Sequence, residues 1–280
     1  MNCKLKKKLP SDRTFEQIRN HYEIEKAIAT RLKRAIREER KIIYQTMYDE
    51  LFKQVPDHSR LKRREDPKMT AIANQNKLKL IEKFIDKSTI FVEFAPGDCR
   101  FAISICNRVR FVYGVDISDQ RGQLDNVPDN FELIIYDGYN LQMQENSTDV
   151  VFSDQLIEHL HPEDTEFHFQ LVRKILRPQG VYVFRTPHRF SGPHDVSRYF
   201  SNEAEGFHLK EWTYSEIAKI LKRLEYSSWS GYKYTKRNLT KKPFAYFIII
   251  EYILNMLPKR LRKITSRCLL SRYITIVAVK

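Results

Sequence analysis

Residues Thr89–Ala102 read TIFVEFAPGDCRFA, and this stretch decides the fold. An apolar run, Ile90, Phe91 and Val92, ends in Glu93. Three residues of little bulk, Ala95, Pro96 and Gly97, follow closely, and Asp98 opens a helical pattern. A strand that ends in a tight turn and runs into a helix is the layout of a nucleotide-type site at the end of a parallel strand. Gly97 lets the backbone approach a ligand, and the helix start offers unpaired N–H groups. A dinucleotide fits badly. The small positions of G-x-G-x-x-G read Ala95, Gly97 and Cys99, and the carboxylate of Glu93 would sit against a pyrophosphate. No G-K-[ST] follows, which excludes a triphosphate loop. An acidic strand end beside a small-residue turn suits a ligand with a cationic amino-acid part.

Outward from this stretch the chain alternates between strand and helix patterns. A helix from Asp98 to about Arg108 precedes a second strand, Arg110–Val115, which ends in Asp116. Phe131–Tyr136 is the third strand and ends in Asp137-Gly138; Asp149–Ser153 is the fourth, before a helical turn at Gln155–Leu160. The helix from Pro162 to Leu176 stops at Arg177-Pro178-Gln179-Gly180, and Val181–Thr186 is the fifth strand. Thr213 with Glu216 caps a helix reaching Leu224, Ser227–Tyr234 is a sixth strand, and Tyr273–Val279 a seventh. Short apolar runs separated by helices imply a parallel sheet buried on both faces. The expected class is therefore α/β, with a doubly wound, mostly parallel, seven-stranded sheet.

Polar residues mark the carboxyl ends of these strands: Glu93, Asp116, Asp137 and the pair Ser153-Asp154, roughly one β-α unit apart. An acid ending the second strand can accept both hydrogens of a ribose diol. Asp137 can accept from an adenine amine, with Gly138 leaving room for the base. In order and spacing, FVEFAPGD, GVDIS, the segment from YDGYN to SDQLIEHL, and VRKILRPQGVYVFRTP resemble the class I S-adenosylmethionine-dependent methyltransferases over about residues 78–222. The resemblance implies a Rossmann-like methyltransferase fold with S-adenosylmethionine as cofactor. It implies contacts of Glu93, Ala95 and Gly97 with the methionine part, and of Asp116, with Ile117 beside it, with the ribose. Asp137 and Gly138 would meet the adenine, and Asp154 and Gln155 would lie near the sulfonium and the acceptor. The family's glycine-rich first motif is degenerate here, with Ala95 and Cys99 replacing glycines. A binding protein that has kept the fold and lost catalysis therefore stays open.

The polar stretch after the fifth strand, TPHRFSGPHDVSRYFSNEAEGFHLKEW, faces the acceptor side in this fold. His194 with Asp195 is the candidate base and orienter, and His188 and His208 are further candidates. The alternative for a His-Asp neighbour pair is capping a turn. Arg185, Arg189, Arg198 and Lys210 are candidates for an anionic or sugar acceptor. Tyr199 and Trp212 are candidates for stacking on a ring or for core packing. His159, in Glu158-His159-Leu160, falls on a family-typical stretch and joins the acceptor candidates, with packing as its alternative. Transfer of a methyl group to an oxygen of a small-molecule, saccharide or lipid-linked acceptor is the leading expectation, and RNA is the alternative.

At 280 residues the chain can bury one α/β core with extensions. Its net charge of +14 is unevenly spread: residues 1–90 carry +10, 91–190 carry −6 and 191–280 carry +10. An acidic core between basic flanks tolerates a cationic cofactor, and the flanks suit phosphates of lipid, sugar nucleotide or RNA. The four cysteines, Cys3, Cys99, Cys106 and Cys268, form no metal-ligand spacing and fit a reducing compartment, so a cytoplasmic location is expected and no metal is. Residues 12–54 read as one helix, the segment up to Pro67 as a charged connector, and residues 71–86 as a second helix. Phe244–Leu257 is apolar but too short for a span and carries Glu251; with KRLRK after Pro258 it reads as a buried helix or as a peripheral membrane contact through 244–263. Three regions follow: a helical extension (1–69), a cofactor-binding core (70–236), and a basic, apolar helical insertion with the final strand (237–280).

Overall fold

The computed structural model describes residues 5–122, 126–234 and 239–280; Cys3 lies outside them. Five parallel strands form the centre: β1 (Ile90–Phe94), β2 (Phe111–Asp116), β3 (Phe131–Ile135), β4 (Thr148–Asp154) and β5 (Leu176–Pro187). Three antiparallel strands complete the sheet: β6 (Ser228–Tyr234), β7 (Leu239–Lys242) and β8 (Tyr273–Val279). The order is β3-β2-β1-β4-β5-β8-β6-β7, so among the described residues eight strands stand where seven were expected. The additional strand is β7, a short edge whose sequence, LTKK, carries no apolar alternation. Lysines on an edge strand discourage further pairing, which is why such a strand is hard to read from sequence. The order reverses between β1 and β4, and ligands in doubly wound sheets bind at that switch point.

Both sheet faces are covered. One packs Phe169 of α6 (Pro162–Ile175), Ile217 of α7 (Tyr214–Arg223) and Phe247 of α8 (Phe244–Asn255). The other packs Leu80 of α4 (Pro67–Ile81) and Phe101 of α5 (Arg100–Ser104). Phe91, Phe152 and Phe184 on the central strands are fully buried, as a two-sided core requires.

The long N-terminal helix is divided. It consists of α1 (Phe15–Arg34) and α2 (Arg37–Gln54), broken where Ala35 and Ile36 are extended. Glu39 accepts from the backbone of Ile36 at 3.0 Å, and Arg40 reaches back to the carbonyl of Ala35 at 2.9 Å. The same guanidinium grips Asp164 of α6 with two hydrogen bonds of 2.8 Å, while Tyr44 and Tyr139 also donate to that carboxylate. The periodicity runs through the break because it reports which faces are apolar, not where the axis turns. The expected connector holds a further helix, α3 (Ser59–Glu65), and α4 starts at Pro67, capped by Asp66. The Gln155–Leu160 segment is a turn without helix, and the helix after the β1 loop ends at Ser104.

Before β8 the chain forms α8 and α9 (Lys259–Leu269), the helical insertion expected from the sequence. Only Phe247, Glu251 and Leu254 of α8 are buried. Gly231 of β6 makes the close approach: a Cβ there would lie 2.3 Å from the Phe247 ring. Glu251 accepts from the backbone N–H groups of Tyr214 and Ser215, holding α8 against the start of α7.

Candidate active site

The loop after β1 keeps the backbone shape of a glycine turn without the glycines. Ala95, Gly97 and Cys99 have φ of 54°, 60° and 57°, all left-handed. That conformation is free for Gly97 and costs roughly 1–2 kcal/mol for a residue with a Cβ. The folded loop sends Gly97 N–H to Asp116 Oδ2 at 3.1 Å, while Ile117 N–H donates to Oδ1 at 2.7 Å. Asp116 is thereby fixed at the end of β2 with both oxygens still able to accept. Burial pushes its pKa up to about 6 against the pull of these amide hydrogen bonds.

A cavity of about 710 Å³ opens from this loop. Ala95, Gly97, Asp116, Ile117, Gly138, Asp154 and Gln155 line it, so most of the candidate cofactor residues meet in one space. Two do not. Glu93 is buried behind the loop, with Oε1 on the Lys77 ammonium at 2.8 Å and Oε2 without a hydrogen-bond partner among the described residues. Asp137 spends its oxygens on its own turn, accepting from Tyr139 N, Asn140 N and Asn140 Nδ2. Asp154 is held by two hydrogen bonds of 2.7 Å from Arg185, which neutralises its charge. A paired-acceptor carboxylate at β2 beside an open Gly97 turn fits a ligand with a ribose diol, and the buried carboxylate of Glu93 behind that turn adds negative potential that suits a cationic amino-acid end.

The candidate acceptor residues divide as well. His159, His194, Asp195, Arg198, Tyr199 and His208 line the cavity, together with Arg185. His194 and Asp195 do not work on each other: His194 Nε2 meets Ser191 Oγ at 2.8 Å, and Asp195 accepts from the backbone of Ser197 and Gly206. Asp195 thus caps the turn that follows it. Burial pulls His194 down to about 4. His208 takes the opposite course: burial opposes its charge, but its hydrogen bond to Glu211 and the charges of Glu158 and Asp195 outweigh that and raise it to about 9. Burial pushes Glu158 up to about 7, and it keeps His159 neutral.

Four candidates stand outside the cavity. His188 is fully buried with Nε2 on Glu251 at 2.9 Å. Arg189 pairs with Glu216, and Trp212 sits in the core with Nε1–H on the carbonyl of Ile157. Lys210 lies over the Trp212 ring, 4.0 Å from its centre.

Helices before the first strand often roof such a site, but sequence reasoning named none of the residues that form the cover here. Tyr44 and Tyr48 of α2, His21 and Glu25 of α1, and His58 and Arg60 all line the cavity. Glu25 joins this cover to the acceptor loop, accepting from His21 and from the backbone of Phe207 at 3.1 Å. The only signal was polar residues, such as His21 and Glu25, on the apolar face of a helix.

Residues 92–184 match the family model of a methyltransferase domain. Among solved structures, the chain resembles a SAM-dependent methyltransferase from Archaeoglobus fulgidus at 14% identity, over 75% of this chain and 94% of that one, with a TM-score of 0.52. It is also similar to Haemonchus contortus phosphoethanolamine N-methyltransferase 1, at 14% identity over 88% of this chain and 50% of that one, with a TM-score of 0.54. A third is Burkholderia thailandensis 1,6-didemethyltoxoflavin-N1-methyltransferase, at 13% identity over 88% and 91%, with a TM-score of 0.51. Identities this low establish a shared fold. No match was found among curated protein sequences.

Proposed function

We propose that the chain is a class I S-adenosylmethionine-dependent methyltransferase, on the match of residues 92–184 to a methyltransferase domain, and that it methylates an oxygen of a small-molecule, saccharide or lipid-linked acceptor. The observation that carries this reading is the cover. With α1, α2 and residues 58–60 over the cavity, the acceptor must be small or enter as the end of a chain. A folded RNA presenting a broad surface suits such a space poorly. S-adenosylmethionine supplies a methyl group already activated on sulfonium. The protein's share is then positioning, with the reacting atoms held in line. In this reading Asp116 holds the ribose, the Ala95–Gly97 turn takes the methionine end with Glu93 behind it, and Arg198, Tyr199 and Arg185 face the acceptor.

Calorimetric titration with S-adenosylhomocysteine tests the cofactor half. Wild type binds in the micromolar range and Asp116→Ala loses at least tenfold; equal binding by both would remove Asp116 from the site. Labelled methyl transfer into soluble and lipid fractions of an extract then sorts the acceptor.

We also propose that α8 and α9 rest on an anionic membrane surface. Among the described residues no helix is long and apolar enough to cross a membrane. Yet Ile249, Tyr252, Ile253 and Met256 of α8 are exposed on one side, with Leu261 and Ile264 of α9. Lys259, Arg260, Arg262, Lys263 and Arg267 accompany them, which is the pattern of an interfacial helix pair. Flotation with vesicles containing anionic lipid is expected for wild type and lost for Ile249→Asp/Ile253→Asp. Flotation of that variant at wild-type levels would end the proposal.

A further inference from the structure

We propose that Glu158, His159 and His208 bind one divalent transition-metal ion at the acceptor end of the cavity. All three are buried, and one ligand atom from each lies within 4.8 Å of the others. What separates this cluster from a chance meeting of polar groups is how each member is held from behind. His159 Nδ1 is 2.9 Å from the carbonyl oxygen of Phe207, which can only accept, so Nδ1 carries the hydrogen and Nε2 the lone pair. His208 Nδ1 is 2.9 Å from Glu211 Oε1. Neither Nε2 makes a hydrogen bond among the described residues. Histidines that ligate metals characteristically give their other N–H to a carbonyl or a carboxylate, and here one does each.

The carboxylate follows the same logic. Glu158 Oε2 accepts from Thr186 Oγ1 at 2.9 Å, while Oε1 is buried with no hydrogen-bond partner among the described residues. An unpaired buried carboxylate oxygen is costly and calls for a cation or a donor. The His159 and His208 ring centres are 5.0 Å apart with planes at 77°. Two imidazoles that share an ion at about 2 Å stand roughly that far apart.

A second cluster, His21, Glu25 and His58, passes the same distance criterion and fails this one. His21 Nδ1 accepts from Arg13 at 2.9 Å, and its Nε2 is engaged by Glu25 at 2.7 Å. Both ring nitrogens are used, and a guanidinium already supplies the positive charge.

Two imidazoles with one carboxylate favour zinc, manganese, iron or cobalt over magnesium or calcium, and three ligands leave positions open toward the cavity. Resting on the methyltransferase reading, the ion would hold an acceptor hydroxyl and lower its pKa. The hydroxyl proton passes to water, and the oxygen pair forms the new bond to the methyl carbon. The methyl–sulfur bond breaks with its electrons on sulfur, so no oxidant or reductant is needed.

The test uses tag-free, chelator-stripped, full-length protein titrated with Co²⁺, followed by visible absorbance and calorimetry, with S-adenosylhomocysteine binding measured on the same samples. Wild type is expected to take up one equivalent, and His159→Ala, His208→Ala and Glu158→Gln each to bind at least tenfold more weakly. Uptake without S-adenosylhomocysteine binding supports the ion site while removing the cofactor reading. No uptake of Co²⁺, Zn²⁺ or Mn²⁺ by wild type, or unchanged uptake by a folded His159→Ala/His208→Ala variant, overturns it. Should the variants fail to fold, wild-type uptake and the rise in its melting temperature with Zn²⁺ decide alone.

Discussion

At the scale of single residues, the turn after β1 sets function against stability. Ala95 is exposed and left-handed, so its methyl group adds strain and little packing. Ala95→Gly is expected to stabilise the protein by about 1 kcal/mol, since glycine adopts this conformation freely. Denaturant unfolding checks it, and a less stable variant would mean the turn is not strained there. Asp116 carries a second cost. Its pKa rises from 3.8 to about 6 on folding. Folding therefore gains from the protonated form at low pH, and that gain is lost as pH rises through 6. Asp116→Asn does not titrate. Its stability relative to wild type should increase by about 2.4 kcal/mol between pH 4 and pH 8, while cofactor binding falls. A difference that stays flat with pH would show that the carboxylate is not desolvated. Asp116 was legible because position at a strand end puts a side chain at the sheet edge. Asp137 has the same signature, but Tyr139 and Asn140 draw its oxygens into a local turn, and the spacing of strands contains no record of that.

At the scale of elements, apolar periodicity gave helices and central strands but not their breaks or their polar partners. The turn at Ala35-Ile36 exists so that α2 can lay Arg40 and Tyr44 against Asp164 on α6, which is 124 residues further along the chain for Arg40. His188 reads as an active-site histidine until Glu251, 63 residues away, is seen to hold it. Contacts at such separations leave no trace in local pattern. The Arg40–Asp164 pair is buried and doubly bonded, so removing one partner strands a charge. Arg40→Ala is expected to destabilise the protein by about 3–5 kcal/mol. Because α2 covers the cavity, S-adenosylhomocysteine affinity should fall even in the fraction that remains folded. Thermal unfolding and calorimetry on one preparation would read both effects. A stability loss below about 1 kcal/mol would mean that α2 is held by its apolar contacts alone.

At the scale of the whole molecule, the uneven charge distribution gains a spatial meaning. Burial and the cations Lys263, Arg198, Arg267 and Arg272 together pull the ammonium of Lys7 down to about 8. The N-terminal segment, the acceptor loop and α9 thus bring their positive charges to one side, and Arg198 also lines the cavity. If this side faces anionic lipid, two forces act on binding and they separate with salt. Raising salt from about 0.1 M to about 1 M shortens the Debye length from about 10 Å to about 3 Å, which removes the attraction of the lysines and arginines. It leaves the burial of Ile249, Ile253 and Leu261 intact. Wild type should therefore bind anionic vesicles far more weakly at high salt yet retain a residue of binding, and Ile249→Asp/Ile253→Asp should lose that residue. Lys263→Ala/Arg267→Ala should do the reverse, binding weakly at low salt and changing little as salt rises. Binding that ignores salt in wild type would assign the surface to apolar contact alone, and the basic flanks would then need another partner.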